Sequence, residues 1–292
     1  MKNITECLQR QTFNDFEVIF IVDKHLTAVG EFVHDDPRRS FITNLNSKFR
    51  SKRDANDPMI GGNASQLRNY GIKEAKGEFI LLMDDDEWFP DDYLEKYFYY
   101  RDIYRQRIGK DLVLCPTLMY RKTGTVQNYG FSHYDYWMSR PVLATMGNKE
   151  WISVQLYSWN SLLAPAYIFK EHLFDERLDF VAEDLDFTRG ITFTGIPIIV
   201  LRDLQICHME RDKNALEHSR VWNKYSAYRK AKHRRIFVQK YASFTDKIKF
   251  YLLGFRGQPL RLMLKVLLYV PCKQKWKICR AIFAGTRCTL ST

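Results

Sequence analysis

The apolar residues fall into short runs of two kinds. Phe79-Ile80-Leu81-Leu82-Met83 is unbroken, as expected of a strand covered on both faces. DLVLCP (Asp111–Pro116) and EVIFIVD (Glu17–Asp23) are similar, and the second ends in an acid. Residues 159–169 read as a strand leading into a short helix, and residues 191–201 as a strand that closes the sheet. Helical spacing intervenes. Leu67 and Ile72 fit a helix capped by Asn63 or Ser65 and ended at Lys76-Gly77, with Gly77 in the left-handed conformation. A helix rich in Tyr and Arg spans 91–108, started by Pro90-Asp91-Asp92, and residues 4–11 read as the end of an amphipathic helix. Residues 24–60 are polar, and 117–150 read as irregular, with Tyr129, Phe131, Tyr134, Tyr136 and Trp137 able either to line a sugar cleft or to pack a loop.

Composition narrows the class. With 46% hydrophobic and 15% aromatic residues, the 292-residue chain can bury a substantial core, which excludes wholesale disorder. The six cysteines show no paired or zinc-type spacing and read as thiols in a reducing compartment. Neither a secretory signal nor an apolar run of membrane-spanning length is visible. Charge is segregated: residues 220–292 hold 18 Lys and Arg against one acid, Asp246, a net +17, whereas residues 1–219 carry −6. A basic segment of that strength implies a polyanionic partner, lipid or nucleic acid.

The chemistry concentrates after the first apolar run, where Asp84, Asp85, Asp86 and Glu87 follow one another. Four carboxylates at a strand end repel unless a cation sits among them, and oxygen ligation suits Mg2+ or Mn2+. The same run also reads as a solvated loop leading into the next helix. A second cluster, Glu183-Asp184-Leu185-Asp186, reads either as helix-start carboxylates favoured by the dipole or as a proton acceptor.

Arg68-Asn69-Tyr70-Gly71, Gly77-Glu78-Phe79, Asp84-Asp85-Asp86 and Trp88-Phe89-Pro90, in that order, resemble the core signature of family 2 glycosyltransferases of the bacterial surface-polysaccharide type. The resemblance covers roughly residues 4–212. It implies a GT-A, Rossmann-like α/β fold, a mixed sheet flanked by helices, here lacking the usual central first strand. It implies metal-dependent, inverting transfer from a nucleotide-sugar donor, with Asp184 as general base beside Glu183. Asp86, Asp84 and His208 would hold a Mn2+ or Mg2+ ion, and Asp23, Arg68, Asp84, Asp85 and Arg211 would bind the nucleotide-sugar. No Gln-x-x-Arg-Trp segment is present, which favours one sugar per acceptor. A nucleotidyltransferase of related fold, or a non-catalytic membrane or nucleic-acid binder on a degenerate transferase domain, are the alternatives.

Residues 216–292 are expected to be a basic helical tail beyond a transferase domain at 1–215. Leu260, Leu264, Leu267 and Leu268 recur at helical spacing among Arg256, Arg261 and Lys265, which suits an amphipathic helix on an anionic membrane more than a nucleic-acid contact. The expected setting is the cytoplasmic face of the plasma membrane, near a saccharide or lipid-linked saccharide acceptor.

Overall fold

A computed structural model of the chain describes residues 2–22, 39–43, 63–136, 140–158, 161–178, 182–208, 224–252, 263–264, 266–268 and 272–287. The residues divide into two compact units, one built from 1–132, 143–179 and 183–210, the other from 133–142, 180–182 and 211–292.

The first unit is a mixed α/β sheet flanked by helices, as the sequence leads one to expect. Helix α1 (Lys2–Gln9) precedes strands β1 (Val18–Val22) and β2 (Arg39–Thr43), which pair in parallel as a sheet of their own. Helix α2 (Ala64–Glu74) leads to β3 (Phe79–Leu82), the short β4 (Glu87–Trp88), helix α3 (Tyr93–Ile108) and the long β5 (Val113–Tyr120). Strands β6 (Val126–Asn128), β7 (Phe131–Asp135), β8 (Arg140–Leu143) and β9 (Trp151–Val154) follow, then β10 (Leu162–Pro165), α4 (Ala166–Glu171), α5 (Glu183–Phe193) and β11 (Ile198–His208). The main sheet runs β3-β10-β5-β11-β4, with β6 on β5 and β9 on β11. Among the described residues no strand is hydrogen-bonded to both β1 and β3.

Alternation along the central strands divides the core in two. Val113, Cys115, Ile198 and Val200 join Ile72, Ile168, Phe187 and Ile191 from α2, α4 and α5. Leu114, Leu118, Ile199 and Leu201 join Tyr93, Leu94, Tyr97 and Tyr104 from α3. Successive residues of a strand point to opposite faces, so each strand serves both clusters.

Three local expectations need correction. Gly77 is not left-handed: α2 ends because Ala75 turns extended (φ −63°, ψ 131°), its carbonyl accepting from Lys170 Nζ at 3.0 Å, while Lys76 N–H donates to Glu17 Oε1 at 2.7 Å. Ile191 belongs to α5 rather than to the closing strand; Gly195 at φ 87° makes the turn, and β11 starts only at Ile198. Residues 117–150 are not irregular but hold three short strands beyond the end of β5, too brief and too polar to announce themselves.

The second unit takes most of the β7–β8 pair and is otherwise helical among the described residues: α6 (Lys224–Tyr241), α7 (Phe244–Leu252) and α8 (Cys272–Arg287). Ile278, Cys279 and Ile282 of α8 pack on Ala227 and Ala231 of α6, with Val266. The approach is close enough that a Cβ on Gly285 would lie 2.5 Å from the Tyr228 carbonyl oxygen and 2.9 Å from Ala231 Cβ. Tyr134 and Tyr136 belong here, and Tyr134 lies 4.4 Å from Phe237 between ring centroids, so these two of the sequence-marked aromatics are packing groups. Trp137 and Leu260 lie outside the described residues.

Candidate active site

Helix α2 organises the site through one polar face. Asn63 caps it, accepting from Gln66 N–H at 3.3 Å. Its next turns act as a comb on residues 174–178. Asn63 Nδ2 donates to Glu176 O at 2.8 Å, Ser65 Oγ to Leu178 O at 2.5 Å, and Asn69 both donates to Phe174 O at 2.9 Å and accepts from Phe174 N–H at 2.8 Å. Gly71 allows the same helix to lie against β1, where a Cβ would meet Ile21 Cγ1 at 3.2 Å. The Arg-Asn-x-Gly pattern thus has separate tasks for its members: Asn69 pins a loop and Gly71 admits a strand.

Arg68 links the two acid clusters. Its guanidinium pairs with Glu183 Oε1 at 3.1 Å, both side chains largely buried. It also lies 5.3 Å from the centre of the Phe174 ring, which stacks on Phe187 at 3.9 Å and 3°. Phe187 is one turn beyond Glu183 on α5, so arginine, ring, ring and carboxylate close a circuit. The charge of Arg68 reaches further: it favours ionised Asp84 and Asp184 alike.

Asp184 sits in the first turn of α5, where the helix dipole favours an anion. Its Oδ1 accepts from Leu185 N–H at 2.7 Å. Burial, and then the neighbouring Glu183, raise its pKa from 3.8 to about 7, against the pull of Arg68. Thr188 fixes the helix, its Oγ donating to Asp184 O at 2.9 Å and accepting from Tyr157 N–H at 3.1 Å.

The other cluster occupies the turn between β3 and β4. Burial pushes Asp84 well above the usual carboxylate range, Arg68 opposes, and Asp86 and Asp85 add repulsion. Asp85 is exposed. Asp86 Oδ2 lies 3.3 Å from Nε2 of His208, the last residue of β11. The antiparallel β4–β11 pairing, Glu87 opposite His208, brings them together. Glu87 is wholly buried, and among the described residues neither of its oxygens has a hydrogen-bond partner of normal geometry. Burial, then Asp84 and Asp86, raise its pKa strongly.

Among the described residues no three His, Cys, Asp or Glu side chains gather as a metal-holding group. Asp86 and His208 form a pair whose separation suits neighbouring positions around an octahedral ion, whose ligand atoms lie ~3 Å apart. Of the sequence-marked residues, Arg68, Asp84, Glu183 and Asp184 are coupled in one electrostatic cluster and Asp86 and His208 in a contact. Asp23 and Arg211 lie outside the described residues. The sequence offers Ser65 only as a cap, Asn69 only as part of the Arg-Asn-x-Gly pattern and Glu87 only as one of four carboxylates. Asn69 and Ser65 act on backbone over 100 positions away, which local spacing does not reveal.

Residues 61–146 match the family model for Glycosyl transferase family 2. The segment belongs to glycosyltransferase family 2. WcaA of Escherichia coli (strain K12), named as a colanic acid biosynthesis glycosyl transferase, is 27% identical over 232 residues, which cover 75% of this chain and 70% of WcaA. Of other curated relatives, the chain spans 14% of one and 54–55% of two more. The crystal structure of S. aureus TarS 1–349 in complex with UDP-GlcNAc superimposes with a TM-score of 0.60 at 16% identity, covering 98% of this chain and 78% of that one. GalNAc-T7, solved with UDP, GalNAc and Mn2+, gives 0.52 at 15% identity over 92% of this chain and 55% of its own. These likenesses show the GT-A fold.

Proposed function

We propose that the protein is an inverting glycosyltransferase that moves one sugar from a nucleotide-sugar donor to a hydroxyl of a lipid-linked saccharide acceptor. The observation that carries this reading is the single guanidinium of Arg68 coupling Asp84 to Glu183 and Asp184. A donor-side and an acceptor-side carboxylate cluster thereby belong to one site.

Asp184 acts as general base. A carboxylate with a pKa of about 7 is ionised often enough near neutrality, and is basic enough, to take a sugar hydroxyl proton. Leu185 N–H holds Oδ1, and Oδ2 receives the proton as the hydroxyl oxygen attacks the anomeric carbon. Direct attack inverts that centre. Glu183, fixed by Arg68, keeps the pKa of Asp184 raised by repulsion. Asp84 and Asp85, with Asp23 and Arg211, complete the donor-binding set in this reading. Asp86 and His208, with Asp84, would hold a divalent ion, Mn2+ or Mg2+. Such an ion, when bound, supplies neutralisation of the diphosphate leaving group. The complexes of TarS with UDP-GlcNAc and of GalNAc-T7 with Mn2+ support these choices of donor class and ion.

The second unit, rich in Lys and Arg, would hold the enzyme at the anionic cytoplasmic leaflet of the plasma membrane, where lipid-linked acceptors of surface-polysaccharide synthesis reside. No helix among the described residues is long and apolar enough to cross a membrane. Asp184→Asn and Asp86→Ala should each lower transfer by roughly 100-fold or more, with nucleoside phosphate release falling in step. Unchanged transfer rates would overturn the reading, and release of pyrophosphate would favour nucleotidyl transfer instead.

A further inference from the structure

On α7 the apolar residues are on the wrong side for a helix in water. Phe244, Ile248 and Tyr251, at spacings of four and three, share one face and are 79%, 40% and 48% exposed. The inward side is carried by Phe250 against Val238 and Ala242. Helix α8 repeats the pattern. Ile278, Ile282 and Gly285 turn toward α6, while Trp276 is 77% exposed and Phe283, two turns on, 46%. Lys277 and Arg280 are exposed on the outward side with them. Leu264, Leu267 and Leu268 are exposed too, while Val266 is buried.

Apolar groups gathered in this number on the outside of one unit mark an interaction surface rather than scatter. Charge decides the occupant. The only acid of residues 220–292, Asp246, is engaged within α7: its carboxylate meets Ser243 Oγ at 2.7 Å and Lys249 Nζ at 3.4 Å. Against that one acid, residues 220–292 hold 18 basic side chains, a net +17. A second copy of the chain would bring like charges together. Nucleic acid would satisfy the charge but has no use for Ile248, Leu264, Leu267 or Leu268. Aromatic and aliphatic side chains flanked by Lys and Arg match a bilayer interface, rings among acyl chains and cations among phosphates.

We propose that the outward faces of α7 and α8 dock on an anionic lipid bilayer, with Phe244, Ile248, Tyr251 and Trp276 inserting. The proposal rests on the membrane reading above and assigns the surface that performs it.

The test is flotation of the full chain with vesicles of phosphatidylcholine alone or with 30% phosphatidylglycerol. Wild type should float with the anionic vesicles and far less with the neutral ones. Phe244→Ser/Ile248→Ser/Tyr251→Ser should reduce partitioning by about tenfold or more. Its circular dichroism and its transfer to a water-soluble acceptor should be unchanged, since the three side chains are exposed and what Tyr251 loses is a surface hydrogen bond from Gln239 Nε2 (3.1 Å) and an edge contact with the Phe250 ring. Trp276→Ser should add to the loss. If the triple variant floats as well as wild type, the assigned face is wrong while membrane binding stands. If wild type floats with neither vesicle, both fall, and activity on the soluble acceptor still judges the transferase reading separately. Self-association abolished by the triple variant, without vesicle binding, would overturn the proposal in favour of a second copy.

Discussion

Replacing Arg68 by Met tests the link between the two acid clusters. Met keeps an apolar stem over Phe174 but leaves Glu183, whose side chain is 8% exposed, without its cation. Stranding a buried charge costs about 3–5 kcal/mol. Protonation sets a ceiling: neutralising a carboxyl of ordinary pKa at pH 7 takes roughly 3.7 kcal/mol. The loss at pH 7 is therefore expected near 3–4 kcal/mol, a melting shift of roughly 6–15 °C for a domain of this size. Asp184 adds to the effect. Its folded pKa of about 7 lies above the unfolded 3.8, so the unfolded chain sheds a proton first and stability falls as pH rises through that window. Without Arg68 the folded pKa climbs further, and the decline extends to higher pH. The assay is thermal unfolding of wild type and R68M in chelator from pH 4.5 to 8. The gap between them should be small at pH 4.5, where lost stacking on Phe174 remains (~0.5–1 kcal/mol), and widen with pH. In activity, the rise of kcat/KM with pH should shift to higher pH, because the proposed base, Asp184, must be ionised to accept a proton. A gap of the same size at pH 4.5 and pH 8, or none at either, refutes the reasoning; Arg68→Lys should recover the charge but not the planar pairing.

Glu87→Gln should flatten the pH dependence of stability. The raised pKa keeps a proton that the unfolded state releases above roughly 4.5, a slope of up to ~1.4 kcal/mol per pH unit that the amide lacks; denaturant titrations at pH 5 and pH 7 measure it. Gly285→Val should detach α8 from α6, since its Cβ meets backbone at 2.5 Å, and limited proteolysis should cut within α8 much faster than in wild type. Gly130→Ala should destabilise the first unit by roughly 1–3 kcal/mol, because φ is 80° and the new Cβ would crowd the Tyr157 ring at 2.9 Å; chemical denaturation reads this directly.

What the sequence shows best is what neighbouring residues decide. The cap at Asn63, the apolar run of β3 and the acid turn after it lie within one stretch, and each rule has a range of a few residues. The end of α2 escapes local rules for the converse reason. Gly77 looks like a terminator, but the stop is made by Lys170 and Glu17, which the fold delivers from far along the chain. The tie between Arg68 and Glu183 spans 115 positions and leaves no periodic trace. In the basic tail, spacing marks which leucines share a face but not whether that face meets protein or water. Only packing shows that Val266 turns in while Leu267 and Leu268 turn out.

Strand β11 changes neighbours along its length. Ile198–Leu201 pairs with β9, Cys207–His208 pairs with β4, and β5 accompanies both halves across an irregularity between Leu201 and Gln205. It follows directly on α5, so the run from Glu183 to His208 carries the proposed base at one end and the partner of Asp86 at the other. That run is a ruler: its length sets the span between the proposed acceptor and donor halves. A single residue added between Gln205 and His208 would turn the imidazole to the opposite face of the sheet, whereas the short strands beyond β5 can grow or shrink without touching that distance. Under the proposed function, diversification toward new acceptors has its free material in residues 121–150 and almost none in residues 183–208.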